Sequence, residues 1–312
     1  MIISWNVRGI NNSGKCNEVS SRLNRIHPDI VILVETCVKP HKAAEVRNKF
    51  GRMWSFKDNY ADHNNGRIWV MWKEAKFNLQ VVRSSSQYMH CCVTHLNGDM
   101  YMYLTAIYAM NTLEQRKNLW HDIEGLHASI SGPWALMGDF NNVLHAQDRI
   151  GGNMVTENEY RDLEKMLEIT DLHEKDSSGG YYTWTNNQAN GVIYSRIDHV
   201  FGNLSWLQQH VDFNLQIMNS GVSDHSLLCL RKQEDRRPSR TPFKFQNVIT
   251  NVLGFQESVR DNWNNPITGA TAMCRLWKKL KRLQPVVKSL SRTFQGISRE
   301  LIKARDQLNV VQ

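Results

Sequence analysis

The sequence predicts a mixed α/β fold, with two layers of strands, helices alternating between them, and a basic helical tail. Three observations carry this. Short apolar runs ending in polar residues recur, among them Met1 to Trp5, Asp29 to Val34 and Trp134 to Gly138. Amphipathic stretches at helical spacing lie between such runs: Lys15 to Ile26, Leu113 to Ile130 and Glu157 to Ile169. The charge then changes near residue 230. Residues 1–230 hold 21 Lys+Arg against 24 Asp+Glu, whereas residues 231–312 hold 17 against 6.

Taken in order, Met1 to Trp5 is an apolar strand that runs into a loop through Gly9, Asn11, Asn12 and Gly14. The helix to Ile26 is stopped by Pro28, and Asp29 to Thr36 is a strand apolar on both faces that ends on the Glu35 carboxylate. Residues 66–107 predict four strands in a meander, Arg67 to Trp72, Phe77 to Arg83, Tyr88 to His95 and Met100 to Tyr108. The helix to Ile130 precedes Trp134-Ala-Leu-Met-Gly138-Asp139-Phe140-Asn141-Asn142, a buried strand that opens into a polar loop. Beyond the helix at Glu157, Tyr181 to Thr185 and Ile193 to Phe201 form a hairpin around an Asn190-Gly191 turn. Strands Val211 to Met218 and Ser226 to Leu230 close the region, separated by Ser220 to His225. Trp5 and Trp184 are expected in the core.

The polar strand ends form one set: Asn6, Glu35, Tyr108, Asp139, Asn141, Asp198, Asp224 and His225. A carboxylate after a strand is most often a turn former, and each of these residues has that plainer explanation. Brought to one rim, the set has the parts for metal-assisted attack on a phosphate. A hard divalent cation takes carboxylate oxygens and polarises phosphoryl oxygens, a second carboxylate orients water, and a histidine supplies positive charge where negative charge builds.

Seven strings then fall in a known order. Trp5-Asn6-Val7-Arg8-Gly9, Glu35-Thr36, Ile107-Tyr108, Gly138-Asp139-Phe140-Asn141, Thr183-Trp184, Arg196-Ile197-Asp198-His199 and Ser223-Asp224-His225 resemble the motifs of the endonuclease/exonuclease/phosphatase superfamily. The wording, with Asp148-Arg149-Ile-Gly-Gly152, is closest to the endonuclease domains of plant non-LTR (LINE-type) retroelements. The resemblance implies a four-layered α/β sandwich, two packed and mainly antiparallel sheets flanked by helices. It implies a metal-dependent phosphodiesterase that nicks DNA and leaves a 3′-hydroxyl, with Mg²⁺ as cofactor and Mn²⁺ the alternative. Glu35 would be the main metal ligand, with Asn6 and Asp224 near the ion. Asp139 would activate water, Asn141 position the phosphate, His225 contact the phosphate under the orienting hold of Asp198, and Tyr108 stabilise the transition state or leaving group. Thr183, Arg8 and Asn11 would contact DNA. Arg8 departs from abasic-site repair enzymes, which carry an acidic residue there.

The domains are drawn at 1–230, the nuclease, and 231–312, a basic linker with a helical segment. Arg236 to Phe245 resembles the connector toward a reverse transcriptase, which the sequence lacks, so a free-standing or truncated element is expected. From Leu276 the apolar positions 276, 280, 283, 287, 290, 294, 297, 301, 304 and 308 follow a heptad, interrupted by Pro285, which predicts two helices or one kinked helix. The basic residues of this segment suit RNA or DNA phosphates; a solvated helical face is the plainer alternative. Six cysteines without a CxxC pattern predict reduced thiols. No stretch reaches the ~18 apolar residues of a membrane span, so the expected location is intracellular, nuclear if the substrate is chromosomal DNA. The competing readings are another phosphoesterase of the superfamily, such as an abasic-site repair nuclease or a lipid or inositol phosphatase, and a catalytically silent nucleic-acid-binding relic.

Overall fold

The structure, a computed structural model, describes residues 1–188, 190–232, 250, 254–267 and 271–291, with backbone alone for 288–291. The chain divides into two compact units, Met1–Asp235 and Arg236–Gln312. The first opens with β1 (Ile2–Asn6), α1 (Ser13–Ile26), β2 (Ile30–Val34), α2 (Pro40–Asn48), β3 (Trp54–Asp58) and β4 (Ile68–Lys73). Then come β5 (Phe77–Ser84), β6 (Tyr88–His95), β7 (Met100–Tyr108), α3 (Leu113–His127), β8 (Trp134–Asp139), β9 (Arg149–Ile150) and α4 (Glu157–Thr170). The unit closes with β10 (Leu172–Glu174), β11 (Ser177–Gly179), β12 (Trp184–Thr185), β13 (Tyr194–Ser195), β14 (Asp198–Asn203), α5 (Leu204–Gln209), β15 (Phe213–Met218) and β16 (Leu227–Lys232).

Two large sheets form, in the orders β11-β15-β16-β1-β2-β4-β3 and β10-β14-β8-β7-β6-β5, with a small sheet β12-β13-β9 beside them. Pairing is mainly antiparallel; β1/β2, β7/β8 and β11/β15 are parallel. The expected four-strand meander is corrected: β4 pairs with β2 and β3, and the turn after Lys73 carries the chain across to β5 in the other sheet. Apolar content marks a strand but not its partner. β4 is buried on both faces as an inner strand, whereas β5 alternates with solvent as an edge.

Strand alternation builds the layers. Ile30, Ile32 and Val34 of β2 meet Met102, Leu104 and Ala106 of β7 and Met137 of β8 between the sheets. On the outer face of the first sheet, Val31 and Leu33 pack under Val19 and Leu23 of α1 and Val46 of α2. On the outer face of the second, Leu136 and Phe201 pack under Leu119 and Ile123 of α3 and Leu163 of α4. Each fully buried side chain of this size contributes roughly 1.5–3 kcal/mol, which makes these faces what orients the sheets.

The same alternation delivers the polar ends. Tyr108 continues the inward series Leu104, Ala106; Asp139 continues Ala135, Met137; Asp198 lies two residues before the inward Val200. Tyr108 stands opposite Asp139 and Asp139 opposite Asp198 in the ladder, so β7, β8 and β14 bring their polar ends to one rim.

In the second unit, α6 (Phe255–Asn264) and α7 (Ala272–Ser291) pack together. Arg282 donates to Asn262 Oδ1 at 3.3 Å and to the Asn265 carbonyl at 3.0 Å. α7 runs on through Pro285. The heptad positions after 291 and the linker residues 233–245 lie outside the described residues. Among the described residues no helix is long and apolar enough to cross a membrane. The six cysteines are free.

Candidate active site

The parallel pairing of β1 and β2 continues past both strands. Val7, Gly9 and Ile10 donate to the carbonyls of Val34, Glu35 and Thr36 at 3.1, 2.7 and 2.9 Å, which carries the two loops together and sets Asn6 beside Glu35. Arg8 and Glu35 adopt left-handed backbone, φ 45° and 53°, a conformation that costs a non-glycine residue about 1 kcal/mol or more. Asn6 Nδ2 donates to Glu35 Oε2 at 3.0 Å and to Asp139 Oδ2 at 2.8 Å, while its Oδ1 accepts the Arg8 N–H at 2.9 Å. The Asn6 side chain is thus a strut between two carboxylates, and its Oδ1 keeps a lone pair beyond the Arg8 N–H.

Asp139 and Asp198 face each other across β8 and β14, both buried. His225 lies against both. Its Nδ1 is 2.9 Å from Asp198 Oδ2, and its Nε2 is 3.9 Å from Asp139 Oδ2. Burial, with the charge of Asp198 added, pushes the Asp139 carboxyl up from its ordinary value. Burial alone would lower the His225 pKa, but the charges of Asp198 and Asp139 outweigh it and raise it to about 9. The imidazolium donates a hydrogen bond from Nδ1 to Asp198. Both amide protons of Asn6 go to carboxylates, so its 3.4 Å approach to Nε2 is packing, and the Nε2 proton remains for an incoming acceptor. The backbone here is pinned: the Trp5 indole donates to the His225 carbonyl at 3.0 Å, His225 N–H donates to Ser223 Oγ at 3.2 Å, and that hydroxyl donates to the Asn6 carbonyl at 2.7 Å.

Asp139 Oδ1 accepts the Asn141 N–H at 2.8 Å. Asn141 is itself left-handed, φ 47°, with its amide nitrogen on the Ala109 carbonyl at 2.8 Å and its own carbonyl on Arg116 Nη1 at 2.7 Å. Gly138 is required by close approach: a Cβ would stand 2.0 Å from the Ile107 carbonyl oxygen. Tyr108 is buried with the Arg67 guanidinium 4.5 Å over its ring. Burial and the nearby Glu35 charge raise its pKa, so the phenol keeps its proton.

Asp224 is ion-paired to Arg8, and its Oδ2 also accepts the Trp184 indole N–H at 3.0 Å. Two expectations are corrected here. Trp184 is only partly buried and serves Asp224 rather than the core. Thr183 is fully buried, and its hydroxyl accepts the N–H groups of Ile197 and Asp198, each at 3.0 Å, so it fixes the start of β14 and offers DNA nothing. Asn11 is exposed, with its amide on the Cys37 carbonyl.

A family model of the Endonuclease/Exonuclease/phosphatase family matches residues 3–225. The chain belongs to that family. A curated relative, the Transposon TX1 uncharacterized 149 kDa protein of Xenopus laevis, is 25% identical over 166 residues, 51% of this chain and 12% of that protein. The chain thus spans a small part of that relative. Among solved structures, the endonuclease domain of TRAS1, a telomere-specific non-LTR retrotransposon, superposes with a TM-score of 0.55 at 11% identity, over 75% of this chain and 99% of that one. The AP endonuclease LMAP of Leishmania major gives 0.55 at 13%, covering 73% and 86%. D. rerio TDP2 complexed with single strand DNA product gives 0.52 at 14%, covering 73% and 96%. At these identities the structural likeness shows the fold.

Enzymes of the Endonuclease/Exonuclease/phosphatase family generally depend on a divalent metal, and the rim holds donors that suit one. The ligand atoms of Asp139, Asp198 and His225 lie within 4.8 Å of one another. A protonated imidazole cannot ligate, however, and its Nδ1 is given to Asp198. The better fit is Glu35: among the described residues only Asn6 donates to it, and it is half-buried at the rim, as a hard cation that keeps several waters requires. Asp224 could supply a second carboxylate, its Oδ2 now shared by Arg8 and Trp184.

Behind the rim a buried histidine meets a partly exposed glutamate. His199 Nδ1 is 2.8 Å from Glu174 Oε1 and its Nε2 is 2.9 Å from the Asn142 carbonyl. Arg196 binds the same Glu174 oxygen at 2.9 Å. Arg196 and His199 belong to the string that carries Asp198, but no pattern in the chain marks Glu174. Arg116 did leave one: it falls on the apolar stripe of α3 with Leu119, Trp120 and Ile123, where an arginine needs buried acceptors.

Proposed function

We propose that this chain is a divalent-metal-dependent DNA endonuclease of the retroelement type, hydrolysing a phosphodiester to leave a 3′-hydroxyl. The observation that carries this reading is the rim of Asp139, Asp198 and His225, with a proton on Nε2 left for an incoming oxygen. A bound cation, Mg²⁺ in our reading and Mn²⁺ as substitute, would be held by Glu35 and Asp224 and would supply positive charge to the phosphate oxygens.

Asp139, raised by its buried setting, takes a proton from the attacking water as the new O–P bond forms. Asn6 and the Asn141 N–H hold that carboxylate in place. His225 presents its Nε2 proton to the phosphate as negative charge grows, and Asp198 holds the imidazolium in orientation. The P–O3′ bond breaks, and the leaving 3′ oxygen takes a proton from the neutral Tyr108 phenol. Asn141 lies where the loop would meet the phosphate, and Arg8 and Asn11 stand on the exposed side of the rim, where DNA would approach. The likeness to the TRAS1 endonuclease domain and to the TX1 transposon protein supports the retroelement assignment. The two units read as a nuclease and a basic helical segment; α7 carries no acidic residue and would hold RNA or DNA phosphates without sequence preference. Acting on chromosomal DNA requires access to the nucleus.

The test is nicking of supercoiled plasmid by purified protein with Mg²⁺ or with EDTA, beside Glu35→Ala, followed by extension of the nick with a polymerase. We expect metal-dependent nicks that the polymerase extends directly, lost in the variant. A folded protein that leaves plasmid intact overturns the reading in favour of a non-DNA phosphoesterase or a silent binding protein.

A further inference from the structure

Arg8 has the least defined task on this rim. Its backbone is fixed at both ends, the N–H on Asn6 Oδ1 at 2.9 Å and the carbonyl receiving Lys15 Nζ at 2.9 Å. Its side chain is 53% exposed and reaches Asp224, whose side chain is 13% exposed. A fixed backbone with a half-exposed guanidinium describes an arm that can change partner. The left-handed φ of 45° makes the position costly for arginine, and the local structure holds it there nonetheless.

Charge explains the present partner. Glu35, Asp139, Asp198 and Asp224 bring carboxylates to this rim, and the Asp224 charge reaches far enough to raise the pKa of His225. Against them stand the guanidinium of Arg8 and the imidazolium of His225. Carboxylates outnumber the cations here, which leaves the rim suited to a divalent cation. A cation that shares Asp224 removes the reason for Arg8 to stay, because two positive groups then compete for one carboxylate. An ion pair this exposed is held weakly, so little opposes its exchange. The planar fork of a guanidinium matches phosphate oxygens two at a time. Asp224 does not drift when released, since the Trp184 indole still holds Oδ2 at 3.0 Å.

We propose that Arg8 is a metal-released phosphate clamp: it serves as the counter-ion of Asp224 while no cation is bound, and turns onto a DNA phosphate beside the cut once a cation takes Asp224. The proposal rests on the nuclease reading above and adds to it a DNA contact that depends on the metal.

The test is binding of a fluorescent DNA duplex, by anisotropy over a range of salt, for wild type, Arg8→Gln and Asp224→Asn, each in EDTA and in Ca²⁺, with thermal melts to confirm folding. One phosphate contact changes the slope of log affinity against log salt by about 0.9. In Ca²⁺ the wild type should exceed Arg8→Gln by about that amount, and in EDTA the two should coincide. Asp224→Asn should show the steeper slope already in EDTA, because its Arg8 has no counter-ion to hold it. Equal slopes for wild type and Arg8→Gln in both media overturn the clamp and leave the nuclease reading standing. The same difference in both media overturns the release by metal. A wild type that binds no DNA in either medium overturns both the clamp and the DNA reading.

Discussion

β14 carries two histidine–carboxylate pairs on opposite faces, made from neighbouring residues. Asp198 points between the sheets and holds His225 at 2.9 Å; His199 points outward and is held by Glu174 at 2.8 Å. The contact is chemically the same, and the difference lies in what surrounds it. His199 spends its second nitrogen on the Asn142 carbonyl, and Arg196 shares Glu174 Oε1 with it, so both ring nitrogens of that histidine are used within the fold. His225 faces a second carboxylate, which favours its charge, but at 3.9 Å from Nε2 that carboxylate is too far to take the Nε2 proton in a hydrogen bond. A histidine with both ring nitrogens bonded inside the fold braces the structure, and a charged one whose Nε2 faces a carboxylate beyond hydrogen-bond reach is ready for a substrate.

The comparison breaks most visibly under mutation of His225. His225→Gln should reduce the nicking rate by about 10³-fold, the scale expected when a positioned proton donor to developing phosphate charge is lost. The melting temperature should fall less than for a variant of the other pair. Initial rates and thermal melts on one preparation check both.

Glu174→Ala should do the reverse. It strands Arg196 and His199 in a buried setting, which costs about 3 kcal/mol, read from denaturant unfolding. The nicking rate per folded molecule should stay within about threefold of wild type.

The outer pair also predicts an acid limit to stability. Burial opposes the Glu174 charge, but His199 and Arg196 outweigh it and hold the carboxyl at about 2. A carboxylate depressed in the folded state adds stability that is complete above its unfolded value and is lost as pH falls through the folded one. Unfolding free energy should therefore drop by roughly 2 kcal/mol between about pH 4.5 and 2. Glu174→Gln should flatten that part of the curve.

The smallest effect concerns the rim. Trp184→Phe removes the indole N–H from Asp224 and should raise the metal concentration for half-maximal nicking by about threefold, the value of one hydrogen bond to a charged group partly made good by water.

The site residues were legible because strand alternation is strict: a polar residue at the inward parity of an apolar strand must emerge at the rim, as Tyr108, Asp139 and Asp198 do. The helices at α1, α3 and α4 were legible from their apolar stripes. The orientation of short polar side chains was not. Thr183 is at a strand end like the others, but tertiary packing turned its hydroxyl onto the N–H groups of Ile197 and Asp198. Asn6 offers either end of its amide, and only the Arg8 N–H decides which faces Glu35. The partnership of β4 was hidden because the short turn Glu74 to Lys76 suits a hairpin as well as a crossing between sheets. α2 and β3 have no strong period in the sequence.

The charge of His225 is the claim on which the rest depends. Long-range ¹H–¹⁵N correlation spectra of ¹⁵N-histidine protein at pH 7 report it directly. The account predicts that both ring nitrogens of His225, assigned by its loss in His225→Gln, are protonated at pH 7 and that the ring loses its proton near pH 9. A neutral ring at pH 7 would contradict it, because Nε2 could then no longer be assigned as the donor to a phosphate.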